Sequence, residues 1–166
     1  VKIMDLKDPE KEVGIGERGV VWARGPQVSG GYYHRPEETE KNFRDGWLNT
    51  GDIGYLDPDG YVFLCGRAKE MIIHSGFNVY PQEVEEVIKA HPAVADVCVV
   101  GRPDEVTGES VRAVVVCRSG MSITQDELRD YCKQQLSPYK VPSLFKFVEV
   151  IPTNENGKVS RKDIDV

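Results

Sequence analysis

Apolar and polar positions follow two different rhythms along this chain of 166 residues, and the change comes near the middle. In residues 1–6 apolar and charged residues alternate, as they do in a strand with one buried face. A charged, glycine-containing loop follows, and residues 19–23 read as a second strand. Residues 36–43 read as a short helix, with Pro36 suited to its first turn. Apolar runs at 53–56 and 61–65 flank Asp57-Pro58-Asp59-Gly60, a pattern that predicts a β-hairpin. The first 65 residues are therefore expected to be nearly all β, with one short helix.

Residues 66–86 form the junction. A charged turn, Gly66-Arg67-Ala68-Lys69, leads into a strand at 71–74, a turn at Ser75-Gly76, a strand at 77–80 and a helix from Pro81. Beyond it the pattern becomes strand and amphipathic helix. Val84, Val87 and Ile88 share one face of a helix expected over 81–90, which His91-Pro92 ends. Residues 93–101 predict a strand, 102–109 a polar loop, and 110–118 a second strand. The continuous apolar run at 113–117 suggests a central strand covered on both faces. Thr124 and Glu127 predict a capping box opening a helix over 124–136, with Leu128, Tyr131, Cys132 and Leu136 as its buried stripe. A strand over 144–150 and a polar tail close the chain. The expected class is α+β, with a β-rich segment at 1–66 and a small α+β domain at 67–166, a short sheet with helices packed on it.

Composition narrows the function classes. Hydrophobic residues make up 40% and charged residues 29%, which fits a folded chain rather than a disordered one. Residues 1–66 hold 8 basic against 12 acidic residues, and residues 67–166 hold 13 against 15. Neither half has the basic excess of a nucleic-acid binder. A small phosphate ligand needs only one or two cations. Cys65, Cys98, Cys117 and Cys132 form no Cys-x-x-Cys pair, and no histidine stands at ligand spacing from them. The expectation is no metal site and buried, reduced thiols, as in the cytoplasm. No apolar run reaches membrane-spanning length, and no signal peptide is read. The opening Val1-Lys2-Ile3-Met4 falls within a strand pattern and lacks an initiator methionine, so a piece of a longer protein is expected.

Few residues suggest chemistry one by one. Asp52, after Gly51, can accept two hydrogen bonds from a diol such as a ribose, or serve as an ordinary turn residue. Arg67 and Lys69 can meet phosphate or ribose, or remain solvated charges. Lys158 follows Asn156-Gly157, a turn sequence that projects a compact cation suited to phosphate and carboxylate oxygens. The glycine-rich stretch at 25–31 lacks the spacing of a P-loop. His34, His74 and His91 are scattered and read as structural.

Taken in order, the segments resemble the adenylate-forming superfamily: acyl-CoA synthetases, aryl-CoA ligases, adenylation domains of peptide synthetases and firefly-type luciferases. The resemblance covers nearly the whole chain. It rests on Gly30-Gly31-Tyr32-Tyr33 through Pro36-Glu37-Glu38-Thr39, on Trp47-Leu48-Asn49-Thr50-Gly51-Asp52, on Gly66-Arg67-Ala68-Lys69-Glu70 through Pro81-Gln82-Glu83-Val84-Glu85, and on Pro152-Thr153 through Asn156-Gly157-Lys158. Four ordered motifs at family spacing are far more specific than any one of them.

The resemblance implies that 1–66 ends a large, β-barrel-like N-terminal domain and that 67–166 is the mobile C-terminal domain. It implies ATP with Mg2+, CoA and a small carboxylic acid as ligands, with most of the site in an N-terminal domain outside this chain. It implies that Asp52 and Arg67 bind the AMP ribose, that Lys69 is the hinge, and that Lys158 is the catalytic lysine of adenylation. Ser75, Gly76 and Phe77 would line the pantetheine path, with Tyr139 and Lys140 near the CoA nucleotide. Ile73 and Asn78 depart from the Lys and Gln that some members carry there, so no catalytic role is implied for them. The expected activity is that of an acid–CoA ligase, with a fatty acid as substrate, and these residues alone should be inactive. The rival readings are a peptide-synthetase adenylation domain loading a carrier protein and a non-catalytic interaction module.

Overall fold

The computed structural model describes residues 1–155, 157 and 159–166. The chain divides into two compact units, Val1–Lys69 and Glu70–Val166. The sequence-based boundary, after Gly66, lies three residues earlier.

The first unit is an antiparallel sheet with one short helix. β1 (Lys2–Met4) pairs with β2 (Gly19–Ala23), and β2 pairs with β4 (Trp47–Leu56). A two-residue strand, β3 (Phe43–Arg44), and β5 (Val62–Arg67) also pair with β4. Helix α1 (Pro36–Asn42) opens on Pro36, whose missing N–H costs nothing at a helix start. β4 is longer than the apolar run alone predicts. It continues through Trp47–Asp52 because a register shift in its ladder with β2, between Asn49 and Ile53, absorbs the irregular Thr-Gly-Asp sequence. The core of this unit is small: Ile3, Met4, Val21, Trp22 and Ile53. Along β5, Val62, Phe63 and Leu64 stay exposed, as does Tyr61 before them.

The second unit is built around one strand. β6 (Ile72–His74) and β7 (Phe77–Val79) form a hairpin, followed by α2 (Pro81–Lys89). β8 (Val94–Asp104) and β9 (Gly108–Cys117) form a long hairpin, followed by α3 (Gln125–Gln135) and β10 (Leu144–Phe147). β9 lies between antiparallel β8 and parallel β10, and meets β6 where His74 pairs with Gly108. Its alternate residues enter two cores. Val111, Ala113 and Val115 pack with Val84, Ile88, Leu128 and Cys132 of the helices. Val114 packs with Cys98, Val100, Ile151 and Ile164 on the other face. The unbroken apolar run of β9 is thus the mark of a central strand covered on both sides.

The stretch 102–109, expected to be a polar loop, is mostly ladder, with Arg102↔Ser110, Pro103↔Glu109 and Asp104↔Gly108 in register. The hairpin projects past the core, so its residues are polar although its backbone is paired. Asp104 accepts hydrogen bonds from the N–H groups of Val106 and Thr107 and closes the turn. The capping box of α3 is complete, with Thr124 and Glu127 bonded reciprocally. Cys98 and Cys132 are buried, whereas Cys65 and Cys117 are only half-buried, and none of the four is in a disulfide. Burial pushes the thiols of Cys98 and Cys132 up to about 11. No helix among the described residues is long and apolar enough to cross a membrane.

Candidate functional site

In the first unit, Asp52 and Arg67 face each other across the β4–β5 ladder. Arg67 Nε lies 2.9 Å from Asp52 Oδ1. The local sequence fixes the backbone that carries this carboxylate. Gly51 takes φ +72°, a conformation that side chains resist. Asn49 Oδ1 accepts the Gly51 N–H at 2.9 Å, and Thr50 Oγ1 accepts the Asp52 N–H at 3.1 Å. Thr50 Oγ1 also donates to the Val21 carbonyl at 2.8 Å, which ties the knot to β2. Asp52 is 26% exposed and Arg67 53%. An ion pair so exposed adds at most about 1 kcal/mol to stability. It does set a carboxylate and a guanidinium side by side, open to a ligand. Lys69 follows in a 3-10 turn, Ala68–Glu70, and is exposed.

In the second unit, Ser75 and Gly76 both take left-handed conformations, with φ 50° and 81°. That is the geometry of a two-residue hairpin turn matching the strand twist. The hairpin is seated on the β8–β9 arm. The Ser75 N–H donates to the Thr107 carbonyl at 2.8 Å and the Ile73 N–H to Glu109 Oε2 at 2.6 Å. His74 Nδ1 lies 2.7 Å from the Glu109 carbonyl, a structural contact. Phe77 is 55% exposed, and its ring stacks on Tyr139 with centroids 4.6 Å apart. Tyr139 stands in the 3-10 turn Pro138–Lys140. Lys140 forms an ion pair with Glu83 at the start of α2, and its ammonium lies 5.7 Å from the Tyr139 ring centroid. Phe77, Tyr139 and Lys140 therefore form a connected set beside the Ser75-Gly76 turn. The Lys140 cation is already engaged by Glu83.

Lys158 lies outside the described residues. Around it in sequence, Thr153 bridges Val159, and the Gly157 N–H donates to the Asn154 carbonyl at 2.9 Å. The tail that follows holds a residue that the sequence did not single out. Arg161 pairs with both oxygens of Glu85 and places Nε 3.0 Å from Glu70 Oε2. It also donates to the Val99 carbonyl at 2.7 Å, and Glu85 accepts the Val99 N–H at 2.7 Å. Burial by itself lowers the affinity of this guanidinium for its proton. The hydrogen bonds and charge of Glu85 outweigh that, and the net shift is upward. Within a polar tail Arg161 looks like any solvated cation.

Among the described residues no group of three or more His, Cys, Asp or Glu side chains is placed to hold a metal ion.

Comparison with known proteins shows what the chain is similar to. The family model for the AMP-binding enzyme C-terminal domain matches residues 83–158. A long-chain-fatty-acid–CoA ligase from Yersinia pestis is 43% identical over 157 residues, covering 95% of this chain and 28% of the relative. The o-succinylbenzoate CoA synthetase MenE from Bacillus subtilis, solved with the acyl-adenylate intermediate OSB-AMP, has a TM-score of 0.90 at 37% identity. That match covers 98% of this chain and 32% of MenE. The amide bond synthetase McbA from Marinactinospora thermotolerans has a TM-score of 0.91 at 37% identity, covering 98% of this chain and 33% of McbA. The chain thus spans about a third or less of the length of each.

Proposed function

The chain belongs to the adenylate-forming superfamily, whose AMP-binding C-terminal domain it carries, and from that premise we propose that it is the C-terminal part of an ATP-dependent acid–CoA ligase. In the first step a carboxylate oxygen attacks the α-phosphorus of ATP. A new P–O bond forms, the bond to the β-phosphate oxygen breaks, and pyrophosphate leaves. In the second step the CoA sulfur, having lost its proton, attacks the acyl carbon. The C–S bond forms, the C–O bond to phosphate breaks, and AMP leaves.

The observation that carries this reading is the Asp52–Arg67 pair. A carboxylate on a held backbone, paired with a guanidinium, suits the hydroxyls of a ribose, and the pair stands two residues before the unit boundary. Lys69, the last residue of the first unit, serves as the hinge. Lys158 bridges the carboxylate and the α-phosphate in the first step, where two anions must approach and local positive charge lowers the barrier. The Ser75-Gly76 turn and the Phe77–Tyr139 stack border the pantetheine path of the second step. Lys140, held by Glu83, steadies the turn that carries Tyr139. Two conformations let one domain serve both steps. Mg2+ supplies charge neutralisation to the nucleotide phosphates when bound.

The acid is assigned to the fatty-acyl class on the strength of relatives such as the Yersinia pestis ligase. MenE and McbA, with TM-scores of 0.90 and 0.91, bear other names, so the acid and the acceptor are matters for assay. The test supplies the full-length protein with ATP, CoA and a panel of carboxylic acids and identifies products by mass. Acyl-CoA with AMP and pyrophosphate, strongest with fatty acids, is the expected result. Acyl transfer to a phosphopantetheinyl carrier protein with none to CoA would replace this reading with the peptide-synthetase one. No pyrophosphate with any acid would overturn both.

A further inference from the structure

We propose that Arg161 is the positioning residue for Lys158, locking the tail that carries this lysine onto the first residues and first helix of the second unit. The inference rests on the ligase reading above and adds a residue given no role there. One guanidinium joins four segments. Besides its own tail, it engages Glu70 at the start of the unit, Glu85 in α2, and the Val99 carbonyl in β8. These partners lie 91, 76 and 62 residues away in sequence, so the contacts are long-range closures rather than local turn chemistry.

The side chain is only 23% exposed, and Glu85 only 16%. A forked, bidentate contact in a half-dry site needs the planar five-donor geometry of arginine, which a lysine cannot reproduce. The chain after Arg161 is held by further contacts. Ile164 is buried, its carbonyl accepts from Arg102, and the Val166 carbonyl accepts from Arg112 Nη1 at 2.9 Å. Lys146 Nζ holds Asp165 at 2.8 Å.

Lysine is a compact charge on a flexible stem, so its value in a transition state depends on where its backbone is held. Three residues of chain reach no more than about 11 Å, so an anchor at Arg161 limits the reach of the residue three positions earlier. A displacement near 1 Å at a reacting group costs on the order of 100-fold in rate. Glu70 follows Lys69 directly, so the same guanidinium also ties the tail to the residue next to the proposed hinge.

The test uses the full-length protein and measures two half-reactions apart: pyrophosphate release without thiol, and thioester formation from supplied acyl-adenylate. Arg161→Lys should lower the adenylation kcat about tenfold or more, with the KM for ATP and the thioester step each within about twofold. Glu70→Gln, which leaves the Glu85 pair intact, should lower adenylation about threefold and carries the test should Arg161→Lys not fold. Lys158→Ala is measured alongside. The inference is overturned if Lys158→Ala abolishes adenylation while both other variants keep it, or if they depress both half-reactions equally, as loss of folded domain would. If Lys158→Ala itself leaves adenylation intact, the ligase reading fails and this inference goes with it.

Discussion

The two units bury their apolar residues in very different measure. Among the described residues, Val1–Lys69 buries five apolar side chains, and Glu70–Val166 buries twenty-one. The first unit leaves Val62, Phe63 and Leu64 exposed along β5, while the second covers both faces of β9 with its own helices and tail. A sheet of this size with so thin a core is marginal by itself, because a small unit buries too little of its surface to offset chain entropy. The second unit covers its own sheet. The contrast suits the proposed roles, with one unit the margin of a larger adenylating domain and the other a body able to move as a whole.

The contrast is broken or upheld most strongly by separating the units. Residues 70–166 expressed alone should unfold cooperatively in urea. Residues 1–69 alone should show no cooperative transition by circular dichroism. A cooperative transition in the first piece would show that its exposed strand needs no cover.

Next in size is the division of chemistry. In the full-length protein, Asp52→Ala should slow adenylation about 10- to 100-fold, as expected for loss of a positioning contact to the nucleotide. Tyr139→Ala should raise the KM for CoA several-fold, by removing one stacking partner worth about 1 kcal/mol, and leave adenylation near wild type. Steady-state kinetics of both half-reactions checks the pair. An Asp52 variant impaired only in the thioester step would reverse the assignment of the units.

The smallest effect is in acid. The Thr107 and Val106 N–H groups and the Thr107 hydroxyl hold Asp104 below the ordinary carboxylate value of 3.8. Glu127 is lowered by Thr124, Asp130 by Lys133 and Asp165 by Lys146, all in the second unit, against Asp5 alone in the first. A depressed folded-state pKa stabilises the fold above the ordinary value, and that contribution is lost as pH falls through the depressed one. The second unit should therefore lose thermal stability more steeply below about pH 4, and Asp104→Asn should flatten that slope in a melting series.

Much of the second unit was legible in the sequence because its signals are local. The capping box at Thr124, the i, i+3, i+4 stripe of α2 and the apolar run of β9 each declare an element within a dozen residues. The Ser75-Gly76 turn was equally plain, since few residue pairs accept two left-handed conformations in succession. The extended arm at 102–109 was missed because backbone pairing beyond a core leaves no hydrophobic trace. Arg161 was missed for the opposite reason. Its partners are 76 and 91 residues away, and nothing local separates an anchored arginine from a solvated one. The Asp52–Arg67 contact follows from a bulged register that periodicity does not reveal, although both residues were singled out by motif.

The most direct test of the account is Lys158→Ala in the full-length protein, with each half-reaction measured separately. Pyrophosphate release should fall by about 100-fold or more, the scale of losing a preorganised charge at the transition state. Thioester formation from supplied acyl-adenylate should stay within about threefold of wild type. Equal losses in the two steps, or full adenylation without the lysine, would contradict it.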